Sequence, residues 1–339
     1  MNILFMDGGE LGTNKLWDFR GKNITAGAVS IGLTGNYYYS GYGKLGKVIT
    51  ARTSLYLSCR FIASVDDTRY FFDLYGNNGS TLLCGFYHSG LFARFANITT
   101  EWIGNLPLVS GTAYRVEMYW LMNTWTPPTP YGAGTPNNDG AVTIKINGVI
   151  CLQQTNIRTT NYNYACDYLS CGSNLSGTDD YIVVADEWPG NLRIQALWPD
   201  TDDVTSWDCS TGSDHANLVD EAVTVGEVFT AVDAEYNYTN VVDEEETYTM
   251  SDLTEDTNPI DTIAAVQVSV RCKQEGTATP QQIQVIARHG TTSGYSSSLS
   301  VEQDAYAYRS AVFGDNPATS AEWTPAEVNA MKAGMRSKT

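Results

Sequence analysis

Between Thr178 and Asn217 the chain reads TDDYIVVADEWPGNLRIQALWPDTDDVTSWDCSTGSDHAN, and the way this stretch divides decides the architecture. Three tryptophans (Trp188, Trp198, Trp207) and eight aspartates (Asp179, Asp180, Asp186, Asp200, Asp202, Asp203, Asp208, Asp214) share it with two short apolar runs, and no helical period connects them. The run YIVVADEW predicts one strand. In NLRIQALWP, the residues Leu192, Ile194, Ala196 and Trp198 alternate to one side and predict a second. On this reading the stretch closes one β-sandwich and hands the chain to another, giving domains at 1–210 and 211–339.

The flanking sequence carries the same rhythm. ILFM, AVSIG, YYYS, LYLSCRFI and RYFFDLYG are short runs rich in β-branched and aromatic residues, separated by turns such as Asn77-Asn78-Gly79. In TAYRVEMYW, Tyr114, Val116, Met118 and Trp120 fall on one face and Arg115, Glu117 and Tyr119 on the other, the pattern of a half-buried strand. AVTIKINGVICLQ contains Asn147-Gly148, which suits the positive φ angles of a two-residue hairpin turn. Residues 123–140, NTWTPPTPYGAGTPNNDG, hold too much Pro and Gly for either regular structure and predict a long loop.

Beyond Ser210, Val241-Val242 run into Asp243-Glu244-Glu245-Glu246, an acidic run that reads as a solvated loop. IAAVQVSVRC and QQIQVIARHG, joined by EGTATP, predict an antiparallel hairpin. AYAYRSAVFG reads as a further strand. In EWTPAEVNAMKAGMRSKT, Thr324 caps, Pro325 occupies the first helical position, and Glu327 completes a capping box. Val328, Met331 and Met335 share one helical face, which predicts a short helix ending the chain.

Composition narrows the function classes. At 339 residues the chain is long enough for two cores, and only 17% of it is charged. A net charge of -18 argues against nucleic acid and anionic membranes, because binding phosphates takes Lys and Arg. The sequence has no run of 18 apolar residues and no secretory apolar region at its start, which predicts a soluble chain without membrane insertion. Seven cysteines, odd in number and widely spread, read as buried thiols rather than a disulfide framework. The close pair Cys166 and Cys171 lacks the partners of a zinc site.

Catalytic constellations are scarce. His88, His215 and His289 are the three histidines, and none sits near a G-x-S-x-G turn. Glycosidase chemistry requires two carboxylates close together, and Glu117 stands alone on its strand. Calcium is the one cofactor the sequence allows, with Asp179, Asp180 and Asp186, or Asp200, Asp202 and Asp203, offering oxygen ligands at loop spacing; solvated turn aspartates are the simpler reading. Trp125 and Tyr131 in the long loop, with Tyr162 and Tyr164 after it, offer aromatic faces for stacking on sugar rings, although edge-strand packing would also account for the tyrosines.

The ordered combination ILFMDGGE, GAVTIKINGV, DDYIVVADE, NLRIQALWPDTDDVTSW, ANLVDE and AYAYRSAVFGDNPATSAEWTPAEVNA resembles a family of tailed-bacteriophage virion proteins, usually described as minor tail or virion structural proteins. The resemblance implies an all-β chain: a concanavalin-like (laminin-G-like) jelly-roll β-sandwich followed by a smaller C-terminal β-sandwich domain. It also implies a non-enzymatic structural role on the tail or as a capsid-surface decoration. The chain would be made in the host cytoplasm, built into the virion in multiple symmetric copies, and held by contacts with other virion proteins. A carbohydrate-binding module recognising a host surface glycan is the alternative, and a sandwich-fold glycan hydrolase ranks last.

Overall fold

Alternation along Ser54–Ile62 shows how the first sandwich is built: Leu55, Leu57, Cys59 and Phe61 are fully buried, while Tyr56 and Arg60 face the other way with Ser58, which is itself covered. The computed structural model describes the chain outside residues 8–18, 21–23, 29–36, 42–44, 64–67, 78, 90–91, 98, 127–133, 172–177, 191, 193, 221–234, 255–259, 261 and 277–279. Within what is described, the chain divides into two compact units, Met1–Ile194 and Gln195–Thr339.

In the first unit one sheet runs Val149–Ile157, Gly140–Ile146, Ala113–Leu121, Ser54–Ile62, Thr178–Val184, Tyr37–Gly41, Ile24–Ala28, with Ile3–Asp7 also on Thr178–Val184. The other runs Glu101–Ile103, Phe92–Asn97, Thr81–Ser89, Thr68–Gly76, Cys166–Cys171, Leu45–Arg52, Phe19–Arg20. The chain crosses between sheets at Leu45–Arg52, Ser54–Ile62 and Thr68–Gly76, and again at Cys166–Cys171 and Thr178–Val184, so the two antiparallel sheets form a jelly-roll sandwich. Rings from opposite sheets meet in its core: Phe61 against Phe71 (4.6 Å) and Phe72 against Tyr181 (5.5 Å). Each such buried side chain contributes about 1.5–3 kcal/mol by leaving water. The Asn147-Gly148 turn adopts the predicted positive φ angles, 48° and 82°.

The second unit has a six-stranded sheet: Pro199–Thr205, Glu245–Met250, Lys332–Lys338, Gln282–His289, Thr292–Tyr295, with Leu299–Ser300 also on Gln282–His289. A ribbon of Val266–Cys272 and Ala307–Phe313 packs on it, and Val266, Val268, Val270, Ile283, Val285, Ala287, Trp323 and Met331 form the core between them.

Five sequence expectations change here. Residues 194–198 are irregular, and Pro199–Thr205 is the strand, paired with Glu245–Met250 in the second unit's sheet. The boundary therefore falls after Ile194 rather than near Ser210, and a cut at 210 would strip an edge strand from the second unit. Val266–Cys272 pairs with Ala307–Phe313, not with Gln282–His289, because the two apolar faces meet across the core instead of lying side by side. The acidic run is half strand: Glu245 and Glu246 open Glu245–Met250. The predicted capping box at Thr324 and Glu327 is present, but the helix spans only Pro325–Asn329, and the chain continues as the strand Lys332–Lys338.

Candidate functional site

Leu121 ends a central strand, and the residues that follow are fastened by a buried amide. Asn123 Oδ1 accepts from the Thr160 N–H (2.8 Å), while the Asn123 N–H donates to Thr159 Oγ1 (3.1 Å), which itself donates to Leu121 O (2.9 Å). Asn123, Thr159 and Thr160 are all buried. Gly140 lies against this knot, and a Cβ there would stand 2.6 Å from Thr159 Oγ1 and 2.9 Å from Leu121 O. Replacing Asn123 with Ala would orphan the Thr160 N–H. A buried unsatisfied donor costs about 1–3 kcal/mol, and thermal unfolding of N123A should show that loss as a lower midpoint.

The knot carries a short hairpin stem. Trp125–Thr126 pairs with Thr135–Pro136. Asp139 accepts from both the Thr124 N–H (2.7 Å) and the Thr124 hydroxyl, and Asn137 bridges Thr124 and Thr126. The side-chain and backbone hydrogen bonds from Thr124 hold the Asp139 carboxyl below its usual value. From this stem the Trp125 indole N–H donates to Tyr162 O (3.1 Å), and the Tyr162 N–H donates to Thr160 Oγ1 (3.1 Å). The Tyr162 and Tyr164 rings are nearly parallel, at 23° with centroids 6.4 Å apart, and are 37% and 42% exposed. Tyr164 is seated over the end of Thr68–Gly76, where a Cβ on Gly76 would lie 2.6 Å from Tyr164 Cβ.

Three of the four aromatic residues singled out from sequence, Trp125, Tyr162 and Tyr164, thus belong to one platform; Tyr131 lies outside the described residues.

A second aromatic cluster is covered. Trp188 crosses the outer face of the first sheet, edge-on to Tyr56 (5.3 Å), beside Tyr119 (6.2 Å) and under Lys145 Nζ (3.5 Å). The Gly190 N–H donates to Glu117 Oε1 (3.1 Å), and Arg115 Nη2 lies 3.2 Å from Glu117 Oε2. Glu117 is therefore 2% exposed on the side of its strand that alternation assigns to solvent. The opening stretch supplies this cover: the Ala185 N–H donates to Asn2 O (3.0 Å), and Asp186 Oδ1 accepts from the Asn2 N–H (2.9 Å).

The aspartates considered for calcium go separate ways. Asp200 is exposed on Pro199–Thr205. Asp202 accepts from the backbone N–H groups of His215 (3.2 Å) and Ala216 (2.6 Å), so its carboxylate caps a turn. Asp203 points to the opposite face and binds Thr247 Oγ1 (2.8 Å), Arg288 Nη1 (3.0 Å) and Lys332 Nζ. Burial pushes the Asp203 carboxyl up, but the Lys332 and Thr247 hydrogen bonds, with the Lys332 and Arg288 charges, outweigh it and hold it below its usual value. These three carboxylates do not converge, and the Asp179 and Asp180 side chains lie outside the described residues. Among the described residues, no group of three or more His, Cys, Asp or Glu is arranged to hold a metal ion.

Sequence reasoning missed a buried polar cluster in the second unit. Glu246 has no exposed surface; its Oε2 accepts from the Trp207 N–H (3.1 Å), and its Oε1 lies 2.9 Å from His215 Nδ1. Tyr248, two residues on and on the same face, also hydrogen-bonds Glu246, and its Oη accepts from Asn237 Nδ2 (2.8 Å), which donates to His215 O as well. Burial pushes the Glu246 carboxyl above its usual value against the opposing pull of the Trp207 N–H and His215. The Tyr248 hydroxyl is likewise raised, first by burial and then by the Glu246 charge. The available signal was an alternation that begins inside the acidic run, since Glu246, Tyr248 and Met250 fall on one face and Glu245, Thr247 and Thr249 on the other.

His289 pairs with Asn316 (2.9 Å) near the Trp323 ring, as a structural histidine does. Cys59, Cys84, Cys151 and Cys166 are buried free thiols, and burial pushes Cys166 up to about 12 and Cys151 up to about 11.

No family model matches the chain, and no curated protein matches it. Solved structures that it resembles include endo-β-1,4-glucuronan lyase from the fungus Trichoderma reesei, with 12% identity and a TM-score of 0.38 over 53% of this chain and 94% of that one. An alginate lyase from Chlorella virus shares 10% identity with a TM-score of 0.36, over 54% and 97%. Domain 4 of an extracellular arabinanase from Geobacillus stearothermophilus, solved with arabinotriose, shares 13% identity with a TM-score of 0.33, over 53% and 81%. Likeness of this degree says nothing about what this chain binds or does.

Proposed function

We propose that this chain is a non-enzymatic component of a tailed-bacteriophage particle whose first sandwich presents a platform of Trp125, Tyr162 and Tyr164 to a surface glycan. The observation that carries the glycan reading is the construction of the platform: two exposed, nearly parallel tyrosine rings and an indole held on a buried hydrogen-bonded base. Aromatic faces fixed in advance bind a sugar ring without the entropy of ordering them at each encounter. The fringe of Thr124, Thr126, Asn137 and Asp139 suits a ligand rich in hydroxyl groups. The particle setting rests on the sequence resemblance alone. Symmetric copies on a particle would raise the avidity of a weak single site. The non-enzymatic reading is supported by Glu117 and Asp203, both held in ion pairs.

Titration calorimetry of the protein with surface polysaccharide of the host tests the proposal. Saturable binding is expected, weakened about fivefold or more by Tyr162→Ala, since one aromatic contact is worth about 1 kcal/mol. Stoichiometric incorporation into particles without saturable glycan binding would leave an assembly role and remove the glycan.

A further inference from the structure

We infer that the platform accepts uncharged or amino-bearing sugar chains and rejects polyanionic ones built from uronic or sialic acids; this rests on the glycan reading above and sharpens it. The chemistry of the exposed groups decides the sign. An aromatic face carries negative quadrupole density, so it attracts C–H groups and cations and repels a carboxylate laid over it. The indole N–H of Trp125, a donor suited to an anion, is already given to Tyr162 O at 3.1 Å. Next to Trp125, Asp139 holds both carboxylate oxygens on Thr124 and contributes a negative charge at the foot of the stem. Its carboxyl is kept below its usual value by those same bonds, so the charge persists into acid. Cations elsewhere in the described residues do sit over rings, but those rings are Phe5, Trp188, Tyr295 and Tyr306. The net charge of -18 adds a long-range repulsion of polyanions, which salt weakens.

The test uses the full chain and oligomers of equal length made of glucose, glucosamine and glucuronate, titrated at low and high salt. Glucose oligomers should bind equally at both salts. Glucosamine oligomers should bind more tightly at low salt, and glucuronate oligomers at least about tenfold more weakly than glucose there, a difference of about 1.4 kcal/mol. Asp139→Asn should narrow the gap between glucuronate and glucose. Tyr162→Ala and Tyr164→Ala, at exposed positions and checked for fold by circular dichroism, should weaken all binding. Glucuronate bound as tightly as glucose, and lost in Tyr162→Ala, would overturn the charge preference while the platform stood. Binding indifferent to both tyrosines, or no binding of any oligomer, would remove the platform and this inference with it.

Discussion

Glu246→Ala is expected to destabilise the second unit by about 1–3 kcal/mol, the cost of leaving a buried hydrogen-bond donor unsatisfied. The change strands the Trp207 N–H, which donates to Oε2, and leaves His215 Nδ1 facing a void where Oε1 stood 2.9 Å away. Trp207 also donates its indole N–H to Glu244 O (3.3 Å), and Asn237 joins His215 O to Tyr248 Oη, so one carboxylate organises residues 207–218 and 235–238 over its strand. Glu246→Gln keeps an acceptor for the Trp207 N–H without burying a charge. It should be as stable as the parent at neutral pH. Chemical denaturation of both variants checks the pair of expectations; equal loss in the two would mean that charge, not hydrogen bonding, holds the cluster.

Acid distinguishes the same residue from Asp203. The folded carboxyl of Glu246 sits above its unfolded value because of burial, so its contribution to stability is full below about 4.5 and is lost as pH rises through the folded value. Asp203 runs the other way: its contribution is present above its unfolded value and is lost as pH falls through the depressed folded one. The parent should therefore gain on Glu246→Gln as pH falls through the window just above 4.5, and Asp203→Asn should remove part of the loss seen at lower pH.

The parts of the fold legible in the sequence are those where one residue's environment follows from its neighbours two places away. Val116, Met118 and Trp120 announce a buried face, and all three are fully buried. What the pattern does not contain is which strand pairs with which. Val268 and Val285 look alike whether their strands are adjacent or face each other across a core, and only the tertiary structure separates the cases. Glu117 and Glu246 were misjudged for a related reason: each is buried by residues far along the chain, Gly190 in one case and Trp207 with His215 in the other. The platform was half visible, since aromatic residues in polar loops attract notice singly. Their convergence depends on Asn123 reaching Thr160, which no local spacing reports.

Gly334→Ala should be the most damaging small substitution in the second unit, costing at least about 3 kcal/mol, at or beyond the upper end for forcing atoms into a packed core. Lys332–Lys338 lies between Glu245–Met250 and Gln282–His289, with Gly334 opposite Thr247 on one side and Ile286 on the other. A Cβ at 334 would meet Glu246 O well inside van der Waals contact and Thr247 Cα at 2.8 Å, and both are backbone atoms that cannot rotate away. The helical reading of residues 331–338 failed at this residue. Met331 and Met335 fit a helix spacing, but Ala333, Met335 and Ser337 alternate against the core side while Lys332 and Arg336 meet the charged face, and the glycine lets the strands close. Hydrogen exchange should rise in all three strands of G334A. Gly314→Ala is the control: a Cβ there meets nothing within 4 Å, so the change should be neutral or stabilising by about 0.4–1 kcal/mol. If G334A exchanged and melted like G314A, the close approach of the two backbones would be refuted, and with it the central place of the last strand.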